Sequence, residues 1–197
     1  DEHLPRVAQR VGQLLDEERV PLRLRLQERR HARVPAVAHG AAQEFGLAPA
    51  EARGDHGHAH DLLLKEGHKV ATLEPSPERR KLLEQRLGNY PKFAGVIGPG
   101  STTRYDVVVM MEVIEHVLEA EFSDFLYNVA NKVSLGGKLI ITTPYNENLD
   151  YAQVYSPTAD EFFHPWQHQR SLTPATLEEM FTPFGFERSY VILADFS

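Results

Sequence analysis

The feature that most constrains this chain is an alternation beginning near residue 60, in which short apolar runs take turns with capped amphipathic stretches. "DLLLKEG" ends a helix at Gly67, and "HKVATLEP" reads as a strand. "SPERRKLLEQRLG" is a helix with Ser76 as N-cap, Pro77 at the first helical position and Gly88 as its stop. "KFAGVI" and "YDVVVMM" are further strands. In the second, Val107, Val108 and Val109 stand in a row, the pattern of a strand buried on both faces of a parallel sheet. "EAEFSDFLYNVANKV" reads as a helix that buries Phe122, Phe125, Leu126 and Val129 and closes on Gly136-Gly137. "GKLIITTP" is a strand, "LTPATLEEMF" a helix capped by Thr173, and "FERSYVILA" a last strand. Strands alternating with helices predict an α/β fold with a doubly wound, mostly parallel sheet.

The 197 residues suffice for one such domain plus an extension. Before Gly57 there are nine arginines but no Lys, Ser, Thr, Asn, Tyr or Ile, and the acidic excess lies entirely after it. Leu4, Val7, Val11, Leu14 and Leu15 have helical spacing, so a helix is expected over about 3–19. "PLRLRLQ" suits either a short strand or a helix. The expected division is a mainly helical extension over 1–45 and an α/β domain over 46–197. The chain has no cysteine, which excludes disulfides and thiolate metal sites. No apolar run approaches the ~18 residues of a membrane span and no signal peptide is evident, so a soluble cytoplasmic protein without a membrane partner is expected. The net charge of −7 argues against a broad nucleic-acid surface.

Charged residues gather where the valine strand ends. Glu112, Glu115 and His116 follow at i, i+3 and i+4 and share one face if the chain turns helical there. Open α/β sheets bind ligands just past the carboxyl ends of their strands. Glu74, at the end of "HKVATLE", can accept both ribose hydroxyls of a nucleoside, and a glycine-rich turn is due about 20 residues earlier, where Gly54 and Gly57 stand. In "GDHGHAHD", His56, His58 and His60 alternate beside Asp61; at a helix start alternate residues diverge, so solvated surface histidines are expected rather than a metal site. "DEFFHPWQHQRSLTP" collects Phe163, His164, Trp166, His168 and Arg170 in a long insertion, which reads either as a functional cluster or as a surface loop anchored by Phe163 and Trp166.

In their joint order "TLEPSPERRKLL", "MEVIEHV", "GGKLIITTP" and "LTPATLEEMFTPFGFE" resemble the class I S-adenosylmethionine-dependent methyltransferases, over roughly residues 50–197. The resemblance implies a Rossmann-like methyltransferase fold, S-adenosylmethionine as cofactor, and methyl transfer to a small-molecule or macromolecular acceptor. It assigns cofactor binding to Gly54, Asp55, Gly57, Glu74, Pro75, Met111 and Glu112. Met111 follows the ubiquinone-biosynthesis type, and His116 and His164 become candidate catalytic bases. The family turn resembles D-x-G-x-G-x-G, whereas "EARGDHG" puts Arg53 and Asp55 at the two earlier glycine positions, and "GLAPAEA" before it is a poor buried strand. Either the cofactor site is altered, or the first strand lies elsewhere, or this stretch is not a faithful piece of the domain.

Two narrower resemblances and one further reading remain. The small-RNA 3′-terminal 2′-O-methyltransferases use the same Glu-x-x-Glu-His spacing with a later histidine to hold a divalent metal, and His164 and His168 are later histidines here. Many metal-free members carry that segment, so no metal is expected and a nucleic-acid acceptor is not favoured. A bacterial subgroup places C-P-x-C before "FHRWQH"; Ser156 and Ala159 stand at those positions here, so a zinc knuckle would lack its thiolates. A degenerate domain that binds without catalysing is the remaining reading, suggested by "EARGDHG".

Overall fold

The valine run forms a buried inner strand of a sheet. In the computed structural model, which describes residues 59–193 and the backbone of residues 35–38, Val107, Val108, Val109 and Met110 are all buried within one strand. In chain order the strands are β1 (Pro35–Ala38), β2 (Val70–Leu73), β3 (Phe93–Ile97), β4 (Tyr105–Met111) and β5 (Val133–Thr142). All pair in parallel in the order β3-β2-β1-β4-β5. The direction of winding reverses between β1 and β4, which opens a crevice at the carboxyl ends of those strands.

The helices are α1 (Ala59–Lys65), α2 (Pro77–Leu87), α3 (Glu119–Lys132) and α4 (Pro174–Phe181). Successive strand residues point to opposite faces, and the packing follows that period. Val107 and Val109 pack with Leu63 and Leu64 of α1 and Leu87 of α2. Met110 packs with Leu126 and Val129 of α3 and Phe181 of α4. The sheet is thus covered on both faces, and each fully buried aliphatic side chain contributes about 1.5–3 kcal/mol. The caps read from the sequence are present: Ser76 Oγ accepts the Arg79 N–H, and Thr173 forms a capping box with Thr176.

Several expectations are corrected. The middle strand of the sheet is drawn from residues 35–38, so the domain begins before the expected boundary at 45/46. The expected helix over 3–19, "PLRLRLQ" and the turn carrying Gly54, Asp55 and Gly57 lie outside the described residues. α3 passes straight into β5, and Gly136-Gly137 sit inside that strand rather than after the helix. Pairing jumps from Val133 to Lys138 against Tyr105 and Val107, so residues 134–137 bulge out, with Leu135 exposed and Gly136 at φ 74°. The segment "FERSYVIL" forms no strand, and β5 is an edge of the sheet among the described residues. His60 is fully buried rather than solvated, because it shares the inward face of α1 with Leu63 and Leu64 at i+3 and i+4. Its neighbour Asp61 pairs with Arg86 of α2.

The insertion after β5 carries an antiparallel hairpin that the sequence pattern did not announce, β6 (Val154–Ser156) with β7 (Glu161–Phe163). Trp166 and Phe163 are about half exposed, so they do not anchor it by burial. The base of the insertion is closed by a bridge between Tyr145 and Leu172 and by the Asn146 N–H donating to the Leu172 carbonyl at 2.8 Å. No described helix is long and apolar enough to cross a membrane.

Candidate active site

Glu74 stands immediately past β2, at the mouth of the crevice. It is 1% exposed, more buried than an acid in an ordinary strand-to-helix turn. Its backbone N–H donates to Ile97 at 3.0 Å, its carboxylate accepts the Ser76 N–H at 2.9 Å, and its carbonyl accepts from the Arg80 guanidinium at 3.3 Å. Pro75 beside it is exposed.

Across β1, Met111 ends β4 half-buried and Glu112 follows at φ 49°. The left-handed region costs a non-glycine residue about 1–2 kcal/mol, and two bonds hold the residue there. The Glu112 N–H donates to the Thr142 carbonyl at 3.0 Å, and its carboxylate accepts the Thr142 hydroxyl at 2.8 Å. The chain then makes only a short 3-10 turn, Ile114–His116, so Glu112 does not share a helical face with Glu115 and His116.

Glu115 turns inward and is 1% exposed. One carboxylate oxygen accepts the Thr143 hydroxyl at 3.0 Å; the other has no hydrogen-bond partner and lies 3.7 Å from His116 Nε2. Burial pushes its pKa up to about 7, and the charges of Glu112 and Glu147 add to the shift. Burial pushes His116 the other way, down to about 4, with the neighbouring His168 and His164 adding to the effect. At neutral pH the imidazole of His116 is therefore uncharged.

The insertion folds back onto this turn. The Gln169 N–H donates to the Glu115 carbonyl at 2.7 Å. Arg170 donates to the Ile114 carbonyl at 2.8 Å, pairs with Glu119 at 3.2 Å and lies 3.7 Å over the Phe122 ring. That arrangement brings three imidazoles together. His116 meets His168 edge-on with ring centroids 4.7 Å apart, and His168 stacks on His164 at 4.6 Å. Glu147, on the loop after β5, contacts both insertion histidines: His164 Nε2 at 3.2 Å through one oxygen and His168 Nδ1 through the other. Two overlapping sets, Glu115-His116-His168 and Glu147-His164-His168, each gather nitrogen and oxygen atoms within 4.8 Å of one another.

A five-stranded 3-2-1-4-5 sheet with acids at the ends of its second and fourth strands narrows the fold, and one comparison decides the family. The family described as a methyltransferase domain matches residues 52–190, well over half the chain. The chain belongs to the class I S-adenosylmethionine-dependent methyltransferases. No curated protein matches it significantly in sequence. Among solved structures it is similar to the 1,6-didemethyltoxoflavin-N1-methyltransferase of Burkholderia thailandensis, at 14% identity and a TM-score of 0.55 over 93% of this chain and 68% of that one. It is also similar to the magnesium protoporphyrin IX methyltransferase of Synechocystis PCC 6803, at 14% identity and 0.56 over 93% and 73%. The methyltransferase domain of a bacterial Hen1 matches at 15% identity and 0.54 over 95% and 88%. At such identities the likeness concerns the fold.

In this methyltransferase the fold sets Glu74, Met111 and Glu112 at strand ends on either side of β1, and brings His116 and His164 into one cluster through His168. Three participants were not singled out as site residues from the sequence: Thr142 and Thr143, which hold the two glutamates, and Glu147, which joins the insertion histidines. Their only local signal is polarity at the end of the apolar run of β5, in "TTPYNE".

Proposed function

We propose that this methyltransferase moves the methyl group of S-adenosylmethionine to an acceptor seated between the end of β4 and the insertion. The observation that carries this reading is the buried carboxylate of Glu74 at the carboxyl end of β2, with Met111 and Glu112 at the end of β4, flanking the switch point of a parallel sheet. A carboxylate so placed suits two ribose hydroxyls, and Met111 suits the face of an adenine. Pro75 borders the same corner, and Gly54, Asp55 and Gly57 belong to the segment between β1 and α1, where this family contacts its cofactor. When bound, the cofactor supplies an electrophilic methyl carbon on a sulfonium. The chain's own contribution is to orient the acceptor, exclude water and receive a proton, and no covalent enzyme intermediate is needed. His116 and His164 line the acceptor side.

The RNA 3′-end reading has one observation in its favour, the convergence of Glu115, His116 and His168 within 4.8 Å. Glu112, the first acid of that spacing, is instead bonded to Thr142. The general methyl-transfer reading is therefore preferred.

The test is calorimetric titration with S-adenosylhomocysteine, alongside the melting temperature. A ligand that binds only the native crevice must raise the melting point. No heat of binding and no shift at millimolar ligand would replace this reading by a non-catalytic binding module.

A further inference from the structure

We propose that Glu147 is a positioning residue that fixes the tautomer of His168, and that Nε2 of His168 receives the proton released by the methyl acceptor. The proposal rests on the methyl-transfer reading, and it names the proton acceptor within the same site.

An ionised glutamate only accepts hydrogen bonds, so the two ring nitrogens that it touches, His164 Nε2 and His168 Nδ1, carry the hydrogens. A second bond agrees independently. The backbone N–H of His168 donates to His164 Nδ1 at 3.3 Å, which leaves that nitrogen unprotonated and puts the His164 hydrogen on Nε2, toward Glu147. His168, with its hydrogen on Nδ1, keeps its lone pair on Nε2. His164 keeps no free lone pair, since its Nδ1 is already occupied.

Three neighbours complete the setting of His168 besides Glu147: His164 stacked on its face, His116 at its edge, and Glu115 within the same 4.8 Å group. Burial and the adjacent histidines disfavour the charged form of His116. His168 has a carboxylate behind it to stabilise the imidazolium, a pairing that orients a general base as well as strengthening it. Stacked imidazoles disfavour a double positive charge, so the cluster takes up a single proton. The balance requires one: methyl transfer replaces a hydrogen on the acceptor by CH3 while the donor changes from cation to neutral thioether, so one proton leaves for each turnover. Glu147 is 23% exposed, so the carboxylate behind His168 meets water.

The test uses the 15N-labelled full chain and long-range 1H–15N spectra of the imidazoles. The expected result is Nδ1–H for His168 and Nε2–H for His164 in the neutral protein. In Glu147→Gln, which replaces one carboxylate oxygen by an NH2 donor, the single Nδ1–H form of His168 should give way to a mixture of tautomers. Affinity for S-adenosylhomocysteine should be kept in the variant. An Nε2–H tautomer for His168 in the wild-type protein overturns the proposal without recourse to any variant. So does a single Nδ1–H form of His168 that Glu147→Gln leaves in place. Micromolar Zn2+ binding that Glu115→Gln abolishes would make His168 a metal ligand and equally overturn it. Loss of S-adenosylhomocysteine binding by the wild-type protein strikes the methyl-transfer reading instead, and the tautomer result distinguishes the two failures.

Discussion

Glu74 and Glu115 are equally buried carboxylates at the same end of the sheet, each 1% exposed, yet they are held in opposite ways. The corner at β2 is self-contained: Glu74 accepts a backbone N–H from Ser76, two residues on. The corner at β4 is assembled from afar, with Thr143 reaching Glu115 from 28 residues away and His168 arriving on the insertion. A backbone amide is an obligatory donor that the fold supplies wherever the chain turns. A hydroxyl and an imidazole must be delivered by tertiary structure, and one oxygen of Glu115 goes without a hydrogen bond. The β2 corner is thus closed by its own backbone, whereas the β4 corner depends on tertiary contacts and holds a carboxyl whose pKa burial raises.

The largest expected effect sharpens that contrast through pH. Glu115 rises from 4.5 unfolded to about 7 folded, so between those values the folded state keeps a proton that the unfolded state has lost, and stability falls as pH rises. His116 drops from 6.5 to about 4, so over that window the unfolded state holds the extra proton and stability rises with pH. Each shift corresponds to about 3 kcal/mol in full, and their slopes of about 1.4 kcal/mol per pH unit oppose each other where the windows overlap. Glu115→Gln should unmask the rising slope relative to wild type, and His116→Gln the falling one. Urea midpoints measured across pH 4 to 7 at constant m-value read this directly. Two variants whose profiles run parallel to wild type would break the comparison.

Next in size is Glu74→Ala. If the β2 corner holds the ribose, the variant loses charge-assisted hydrogen bonds of about 1.5–3 kcal/mol, or roughly 10- to 150-fold in affinity for S-adenosylhomocysteine. Calorimetry measures that loss, and the pH profile of stability set by Glu115 should not move. An unchanged affinity would mean that the cofactor does not use this corner.

Legibility from sequence followed the same division. Ser76, Pro77, Gly88 and Thr173 are local signals, and each stands at the helix end it predicted. The strand "PAVA" carries one valine among two alanines and a proline, so its strand state comes from β2 and β4 on either side rather than from propensity. The stretch "FERSYVIL" has the composition of a strand without forming one among the described residues. The glutamates after β4 were visible as a cluster, but their separation was not. The left-handed turn at Glu112 and the 3-10 turn after it send one acid toward Thr142 and the other toward Thr143. Glu147 and His168 lie 21 residues apart, and only the folded insertion joins them.

The smallest effect separates fold from site at each corner. Ser76 caps α2 beside Glu74, and Thr173 caps α4 where the insertion ends. Replacing an N-cap side chain by alanine typically costs about 1 kcal/mol. Ser76→Ala removes one acceptor for the Arg79 N–H but leaves its own backbone N–H on Glu74, so a modest loss of stability with intact cofactor affinity is expected. Thr173→Ala removes a half-buried hydroxyl and with it one half of a reciprocal capping box, the acceptor for the Thr176 N–H. It should cost more, toward the upper end of about 2 kcal/mol. Leu172, its neighbour, is buried and bridged to Tyr145, so loosening α4 also loosens the strand end from which Thr143 reaches Glu115. The Glu115 titration, followed by carboxyl-carbon NMR, should therefore move in Thr173→Ala and stay in place in Ser76→Ala. The opposite pattern would show that the β4 corner is as self-contained as the β2 corner.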